Sequence, residues 1–254
     1  MRIWLHIGLD PAASDRVQRV LSDKRDQLIA KGILFSQSAS ADLCQVVQEL
    51  DRNGPMQPGQ QDALRDRLKT NLARELDTHQ PTTLILSDAR LGQTLCNDSE
   101  LARLKSLLSP ISDDICIVAQ VEDQARALAR HYGVQVMNGR GTTLDRDLAL
   151  AATDNWWRSC LDAAKASPTQ NTPCWLDYAA VLRFWESAFG PNSLVLHPRY
   201  QNELASEAAP NVVRKLFEIN PTLGKTAAEP LPPQPSAAWV ERARQMNTLF
   251  HQLT

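Results

Sequence analysis

Short apolar runs alternate with longer amphipathic stretches along most of the chain. Four of the apolar runs predict buried parallel strands, because strands covered by helices on both faces are apolar throughout. They are RIWLHIGL at 2–9, TTLILS at 82–87, DICIVAQV at 114–121 and SLVLH at 193–197. Strands that alternate with helices favour an α/β fold with a doubly wound, mainly parallel sheet flanked by helices, since the crossovers place helices over both faces.

The stretches between these runs have the spacing of amphipathic helices. A helical face from Val17 to Ile29 predicts the first helix, and leucines at every fourth position from 64 to 76 predict a second. Three leucines after the cap-like NDS at 97–99 predict another helix. An aromatic stripe from Tyr178 to Phe189, which ends before Gly190-Pro191, predicts one more.

The last part of the chain changes in composition. The stretch NPTLGKTAAEPLPPQPS at 220–236 is rich in proline and predicts a linker that cannot form a helix. Apolar residues at 239, 243, 246, 250 and 253 predict a final amphipathic helix, which we expect to dock on the core or on a partner. We therefore expect an α/β domain over 1–220, a Pro-rich linker over 221–236 and a C-terminal helix over 237–254.

Composition excludes several classes of protein. The 254 residues are 43% hydrophobic with a net charge of −2, which is typical of a globular protein with a packed core. The 27 Lys and Arg residues nearly balance the 29 Asp and Glu residues and are scattered, so we expect no nucleic-acid partner and no membrane partner. No apolar stretch approaches the ~18 residues of a spanning helix, and a strand at Arg2 leaves no room for a signal peptide, which predicts a cytoplasmic protein. Five dispersed cysteines predict neither a disulfide framework nor a metal site.

The turn GLDPAASD at 8–15 stands where a strand passes into a helix N-terminus, a common place for a bound phosphate. Such a loop needs converging amides, glycine at close approaches and usually a Lys or Arg. This turn has one glycine and no basic residue before Arg16, and Pro11 removes an amide donor. Asp10 and Asp15 add negative charge.

The balance of charges in this turn opposes an anion. A carboxylate about 4 Å from a phosphate charge costs roughly 1–4 kcal/mol, whereas a helix dipole contributes roughly 0.3–1 kcal/mol. Repulsion therefore dominates unless distant arginines compensate. We expect Ser14 or Asp15 to cap the first helix instead, which satisfies its N-terminal amides without a ligand.

The segment LHIGLDPAASDRVQRVLSDKRDQLIAKGILF at 5–35 resembles the opening of bacterial sulfotransferase-like proteins. Their pattern has LHIG, two variable residues, K-T-G-T-T, a helix with a Gln, and an end similar to RDxLxxxGxLYP. Three later segments are also similar to this family: LILSDARL at 84–91, CIVAQVEDQARALARHYGVQV at 116–136 and LDYAAVLRFWESAFGPNSLVLHPRY at 176–200. The resemblance covers residues 3 to about 220 and implies a sulfotransferase fold, which belongs to the P-loop type.

The same resemblance implies a cofactor and its ligands. Members of the family use 3′-phosphoadenosine-5′-phosphosulfate (PAPS) as the sulfuryl donor. The loop lysine of the family falls on Pro11, its loop glycine on Ala13, and its two threonines on Ser14 and Asp15. The arginine and serine that would hold the 3′-phosphate fall on Glu122 and Arg130. The resemblance therefore implies a degenerate PAPS site.

Two sets of candidate residues follow. The acidic position of the family's SSE segment falls on Asp88, and His6 next to the turn is a general-base candidate if its ring faces the cleft, the alternative being a hydrogen-bonded core histidine. The candidates for catalysis are His6 and Asp88, those for cofactor binding are Gly8, Ser14, Arg16 and Arg130, and no metal ligand is expected.

Three further side chains have two interpretations each. Trp156 and Trp157 suit either a stacking platform for a sugar or packing under a helix. Arg140, in the glycine-flanked NGRGT, predicts an exposed loop arginine that either reaches an anion or is only solvated.

Two functions compete. The first is a binding or interaction protein on a sulfotransferase-like scaffold, which needs no cofactor, transfers no sulfate, and has an unknown protein or glycan partner. The alternative is an active PAPS-dependent sulfotransferase for a carbohydrate or small hydroxylated acceptor, in which Arg16, Arg90 or Arg130 supplies the missing positive charge. A kinase of P-loop ancestry is disfavoured because the motif G-x-x-x-x-G-K-[ST] is absent from the sequence.

Overall fold

The computed structural model describes residues 1–49, 58–166, 172–199, 203–220, 222–229 and 235–253. The chain divides into two compact units. Unit 1 comprises Met1–Val121 and Leu182–Leu231, and unit 2 comprises Glu122–Val181 and Pro232–Thr254. The predicted domain, linker and C-terminal helix boundaries stay a prediction.

Unit 1 is built on one sheet of five parallel strands. The strands are β1 (Arg2–His6), β2 (Ile33–Phe35), β3 (Thr83–Ser87), β4 (Asp114–Val121) and β5 (Leu194–Pro198). Their order is β2-β3-β1-β4-β5, and every neighbouring pair is parallel. The predicted α/β fold with a parallel sheet is confirmed. Strand β2 was not predicted, because three apolar residues after a helix carry no periodicity of their own.

The described part of the chain contains twelve α-helices. Those in unit 1 are α1 (Pro11–Asp23), α2 (Arg25–Ile29), α3 (Gln37–Val47), α4 (Pro58–His79), α5 (Leu91–Thr94), α6 (Asp98–Leu108) and α11 (Ala209–Leu216). Those in unit 2 are α7 (Gln124–Met137), α8 (Asp145–Ala151), α9 (Trp156–Ala166) and α12 (Ala237–Leu253). Helix α10 (Tyr178–Phe189) begins in unit 2 and ends in unit 1.

The predicted helices are present, with one difference in detail. The first predicted helix is interrupted at Lys24, which lies outside helical geometry and separates α1 from α2. The cap-like NDS starts α6 as expected, since Asn97 and Glu100 form a reciprocal capping box. None of the helices among the described residues combines the length and the apolar character that crossing a bilayer requires.

Helix α1 is fixed to the sheet by an apolar core. Its buried apolar residues are Ala13, Val17, Val20 and Leu21. They pack in one cluster with Trp4, Phe35, Ile85 and Val118 of the strands and with Val213, Leu216 and Phe217. The rings of Trp4 and Phe217 meet edge to face with their centroids 6.4 Å apart. Burying each large apolar side chain contributes roughly 1.5–3 kcal/mol, so this cluster holds the N-terminus of α1 at the end of β1.

Residues 222–229, which we call the strap, lie along α1 and α2. Lys24 Nζ donates to the carbonyl of Lys225 at 2.9 Å, and Arg16 Nη2 donates to the carbonyl of Ala227 at 2.9 Å. Leu223 is fully buried in the core cluster. Residues 222–229 are not helical, and they pack on unit 1.

Candidate functional site

The turn after β1 lies at the centre of the sheet, where the strand order reverses between β1 and β4. Ligands of doubly wound sheets bind beyond the carboxyl ends of the strands at such a point. Gly8 has a φ of +50°, which disfavours any residue with a side chain. A Cβ at Gly8 would lie 2.5 Å from Ser14 Oγ and 2.6 Å from the Cα of Ala89. The chain therefore packs closely over Gly8.

Gly92 packs against the other side of this turn. The Gly92 amide donates to the Ile7 carbonyl at 2.7 Å, and Gln93 Nε2 donates to the Leu9 carbonyl at 2.8 Å. A Cβ at Gly92 would lie 2.7 Å from Leu9 Cδ2 and 2.9 Å from the Gly8 carbonyl oxygen. Sequence reasoning missed Gly92, although a glycine directly after a β-strand turn is a signal of close backbone approach.

Asp10, rather than Ser14 or Asp15, caps α1. Its Oδ1 accepts a hydrogen bond from the Ala12 amide at 3.1 Å, with the extended backbone that an N-cap requires. The prediction was wrong because the helix begins at Pro11, whose fixed φ suits the first helical position. Ser14 is buried inside the helix, where its amide donates to the Asp10 carbonyl.

Asp10 is also paired with a buried arginine. Arg199 Nη2 lies 2.6 Å from Asp10 Oδ2, and the two side chains are only 5% and 8% exposed. The Arg199 amide donates to the Val121 carbonyl at 2.7 Å, which places this residue directly beyond β5. Arg199 is a residue of the site that sequence reasoning missed. Arg199 is distant in sequence from the turn and compensates for the negative charge of Asp10.

Asp15, the other acid of the turn, is exposed. Partial burial raises the pKa of its carboxyl above the ordinary value, with the Arg19 charge opposing this shift. Of the two carboxylates of the turn, that of Asp10 is therefore buried and neutralised, whereas that of Asp15 is solvated.

His6 is a fully buried residue on β1. Its Nδ1 lies 2.8 Å from Ser87 Oγ, and Gln18 Nε2 donates to the Ser87 carbonyl at 2.8 Å. The ring meets Phe217 edge to face with the centroids 6.1 Å apart. Burial lowers the pKa of His6 to about 4, so the imidazole is neutral at physiological pH. This environment favours the core-histidine interpretation over a base that faces the cleft.

Asp88 is held by four hydrogen-bond donors. Arg90 contributes its amide at 2.9 Å, its Nε at 3.0 Å and its Nη2 at 2.9 Å, and the Cys44 amide donates to Oδ2 at 3.0 Å. The carboxylate is 4% exposed. These bonds join the turn after β3 to α3. To act as a catalytic base, Asp88 would have to lose some of these four hydrogen bonds.

Arg16 is buried beneath the strap. Its Nε donates to the Leu204 carbonyl at 2.8 Å, its Nη2 to the Ala227 carbonyl, and its Nη1 forms an ion pair of 2.9 Å with Glu229. Arg19 forms a second ion pair with the same carboxylate. The guanidinium that was predicted to bind a cofactor is occupied by groups of the chain itself.

Arg130 lies on α7 in unit 2 and forms an ion pair with Glu122. These are the two positions on which the resemblance places the arginine and serine that hold the 3′-phosphate. Their side chains are 21% and 15% exposed, and they neutralise each other.

Arg140 is a buried residue and not the exposed loop arginine that was predicted. Its Nη1 lies 2.7 Å from Asp147 Oδ2 with both side chains almost fully buried, and its guanidinium carbon lies 4.9 Å from the centre of the Tyr132 ring. The flanking glycines suggested a solvated loop, but the ion pair and the aromatic ring compensate for the buried charge. Arg140 is therefore a structural residue of unit 2.

The structure brings five of the six predicted site residues to the carboxyl end of the sheet in unit 1. They are His6, Gly8, Ser14, Arg16 and Asp88. Trp156 and Trp157, in unit 2, are half-buried, and the sugar-platform interpretation stays a prediction. Among the described residues, no three His, Cys, Asp or Glu side chains are grouped as metal ligands.

Comparison with solved structures bears on the fold. A solved structure, "Crystal Structure of Sulfotransferase from Alicyclobacillus acidocaldarius", matches with a TM-score of 0.52 and 12% sequence identity. The chain shares the fold of this sulfotransferase. The match covers 99% of this chain and 96% of that one, so it extends well beyond the opening segment. Models of known families and curated proteins give no match.

Proposed function

We propose that this sulfotransferase-fold protein binds no PAPS-type donor at the turn after β1 and acts by binding a partner instead of transferring sulfate. One observation carries the proposal. The Asp10 carboxylate accepts from an N-terminal amide of α1 and is neutralised by Arg199. An anion at a helix N-terminus uses the same kind of amide and the same kind of cation. In this chain the Asp10 carboxylate already occupies both the amide and the cation.

A donor phosphate would have to displace this buried carboxylate. Separating a buried ion pair costs on the order of 3–5 kcal/mol, whereas the helix dipole returns roughly 0.3–1 kcal/mol. Pro11 stands where the family's lysine would supply an ammonium group, so no compensating charge comes from the loop itself. The free-energy balance therefore opposes donor binding.

The alternative of an active PAPS-dependent sulfotransferase requires other arginines to replace that lysine. Each of the three candidates already has an internal carboxylate partner. The pairs are Arg16 with Glu229, Arg90 with Asp88 and Arg130 with Glu122. A donor would have to break at least one pair, so the observations favour the non-catalytic function.

The partner we propose is a protein or a glycan in the cytoplasm. The near balance of 27 basic and 29 acidic residues argues against nucleic acid, which selects strongly basic surfaces. The proposed protein needs no resident cofactor.

Isothermal titration with 3′-phosphoadenosine-5′-phosphate, the desulfated donor, tests the proposal. We expect no saturable heat up to about 1 mM ligand, which corresponds to a binding free energy weaker than about −4 kcal/mol. Micromolar binding would overturn the proposal. The matched variant replaces Pro11→Lys and Ala13→Gly, which restores the lysine and glycine of the family and reports how far the loop alone limits affinity.

A further inference from the structure

Arg16 differs from Arg140 in the way its buried charge is neutralised. Both side chains are almost fully buried, at 5% and 1% exposure. The partner of Arg140 is Asp147, whose side chain is fully buried, whereas the partner of Arg16 is Glu229, whose side chain is 44% exposed. Dissolved ions hardly reach a buried pair, but they compete for a pair that water reaches. The Arg16 pair is therefore open to exchange from the side of its carboxylate.

The Glu229 carboxylate is shared between two arginines. Arg16 Nη1 lies 2.9 Å from Glu229 Oε2, and Arg19, three residues along the same face of α1, pairs with Oε1. Asp15 also interacts with Arg19, but burial still raises the pKa of the Asp15 carboxyl above its ordinary value, so the two are not closely paired. The two guanidinium groups therefore keep an excess of positive charge at Glu229.

The Arg16 guanidinium is also held by groups other than Glu229. Its Nε donates to the Leu204 carbonyl at 2.8 Å, and its Nη2 donates to the Ala227 carbonyl at 2.9 Å. These two bonds fix the plane of the guanidinium, so Nη1 stays directed at the position that Glu229 Oε2 occupies. Because carbonyl groups do not neutralise a buried cation, this position requires an anion.

The backbone of Glu229 is anchored separately from its carboxylate. The Glu229 amide donates to the Ala205 carbonyl at 3.0 Å, and Leu223 at the other end of the strap is fully buried. Rotation about the side-chain bonds of Glu229 is therefore enough to withdraw its carboxylate from the arginines, and exposed side chains change rotamer rapidly. This exchange gives up a half-exposed ion pair, which is a weak interaction, and does not remove Leu223 from the core.

The two arginines select a particular kind of anion. A guanidinium group binds phosphate and sulfate through pairs of N–H bonds, and a divalent oxyanion has twice the charge of a carboxylate. Arg19 is 51% exposed, so its side chain can adjust to an anion on Arg16. A free carboxylate has no advantage over Glu229, which the chain holds at a high effective concentration.

We propose that Arg16 and Arg19 form a binding site for a divalent oxyanion of the phosphate or sulfate type, and that Glu229 occupies this site as an internal ligand which the anion displaces. The site lies along α1 beside the strap. The inference is independent of the proposed function, because Asp10 and Arg199 keep their places at the N-terminus of the same helix.

Isothermal titration with inorganic phosphate, at a constant ionic strength of about 0.15 M, tests the site. Glu229→Gln removes the competing carboxylate and should bind phosphate at least about fivefold more tightly than the parent chain, as expected for the loss of a half-exposed ion pair. Glu207→Gln is the matched control, since Glu207 pairs with Lys225 of the strap at an exposed position. It removes the same charge and should bind phosphate as the parent does.

A second substitution locates the anion. Adding Arg19→Gln to Glu229→Gln should weaken phosphate binding at least about tenfold, and circular dichroism verifies that this variant keeps the fold. Equal phosphate affinities of Glu229→Gln and Glu207→Gln would overturn the proposal. So would binding that the added Arg19→Gln leaves unchanged, or acetate that binds Glu229→Gln as tightly as phosphate does.

Phenyl phosphate identifies the source of the oxyanion. If Glu229→Gln binds phenyl phosphate as well as inorganic phosphate, the site takes a phosphoryl group of a larger molecule, whereas rejection of the ester with binding of the ion supports a site for the free anion. Failure of these titrations leaves the proposed function intact, because that proposal is tested with the desulfated donor on the parent chain. Donor binding that is equal in the parent and in Glu229→Gln would instead contradict the proposed function alone.

Discussion

At the turn after β1, the ion pair of Asp10 and Arg199 is buried, whereas on α12 the side chains of Asn247 and Thr248 bond to the rest of unit 2 and several large apolar side chains are about half exposed. The first region has used its binding groups internally, since Asp10 takes an amide and Arg199 neutralises it. In the second region, Met246 and Leu249 are more than half exposed. The comparison shows that buried charge is compensated inside unit 1, whereas apolar surface stays accessible on α12 of unit 2.

The largest effect expected at the turn comes from Arg199→Met. The change leaves the Asp10 carboxylate buried without its cation, which should lower the free energy of unfolding by about 3–5 kcal/mol. Urea denaturation measures this loss. The double variant with Asp10→Asn should recover most of it, because a neutral amide still caps α1. A loss below about 1 kcal/mol would contradict the account of the ion pair.

Gly8→Ala should be the next most disruptive change. The new Cβ would lie 2.5 Å from Ser14 Oγ, and the φ of +50° is strained for alanine. Strain and overpacking together should lower the free energy of unfolding by about 2–4 kcal/mol. Gly59→Ala is the matched control, since a Cβ at Gly59 meets no atom within 4 Å. If both variants unfold at the same denaturant concentration, the turn is looser than described.

The stability of the protein should depend on pH through His6. Its pKa is lowered from 6.5 to about 4 in the folded protein by burial, so the unfolded chain binds the proton more tightly. The stabilisation is complete above pH 6.5 and is lost as the pH falls toward 4, by about 3 kcal/mol in all. Urea unfolding at several pH values measures this slope. His6→Gln should flatten the slope, and a variant with the parent's slope would exclude His6 as its source.

Glu229→Gln should have the smallest effect and tests the strap. The carboxylate is 44% exposed and contacts Arg16 and Arg19, so solvent already screens part of the interaction. We expect a loss of about 1 kcal/mol, with faster hydrogen exchange confined to residues 222–229. Glu207→Gln, at an exposed pair with Lys225, is the control and should change little. Equal exchange in both variants would show that Glu229 does not anchor the strap.

The sequence predicts the strands of the sheet well, but it predicts the partners of the charged side chains poorly. Long apolar runs such as the one at 114–121 identify buried strands without further information, because burial on both faces leaves a strong pattern. The sequence was sufficient to predict the cap of α1, because proline favours the first helical position and the residue before it, Asp10, is then the N-cap.

Other parts of the site depend on residues far apart in the chain. Nothing in the sequence around Arg199 indicates that it neutralises Asp10, because the fold alone brings the end of β5 to the first turn. Arg140 was assigned to solvent for the same reason, since Tyr132 and Asp147 surround it only after folding. Ion pairs between distant residues have no local signature, so the sequence reveals the residue types of the site but not their pairing.

A structure of the protein determined in the presence of the desulfated donor tests the central claim most directly. The account predicts that the Asp10 carboxylate stays on the Ala12 amide and on Arg199, with no nucleotide at the N-terminus of α1. An adenosine bisphosphate bound over that helix, with Asp10 displaced and Arg199 on a phosphate, would contradict it.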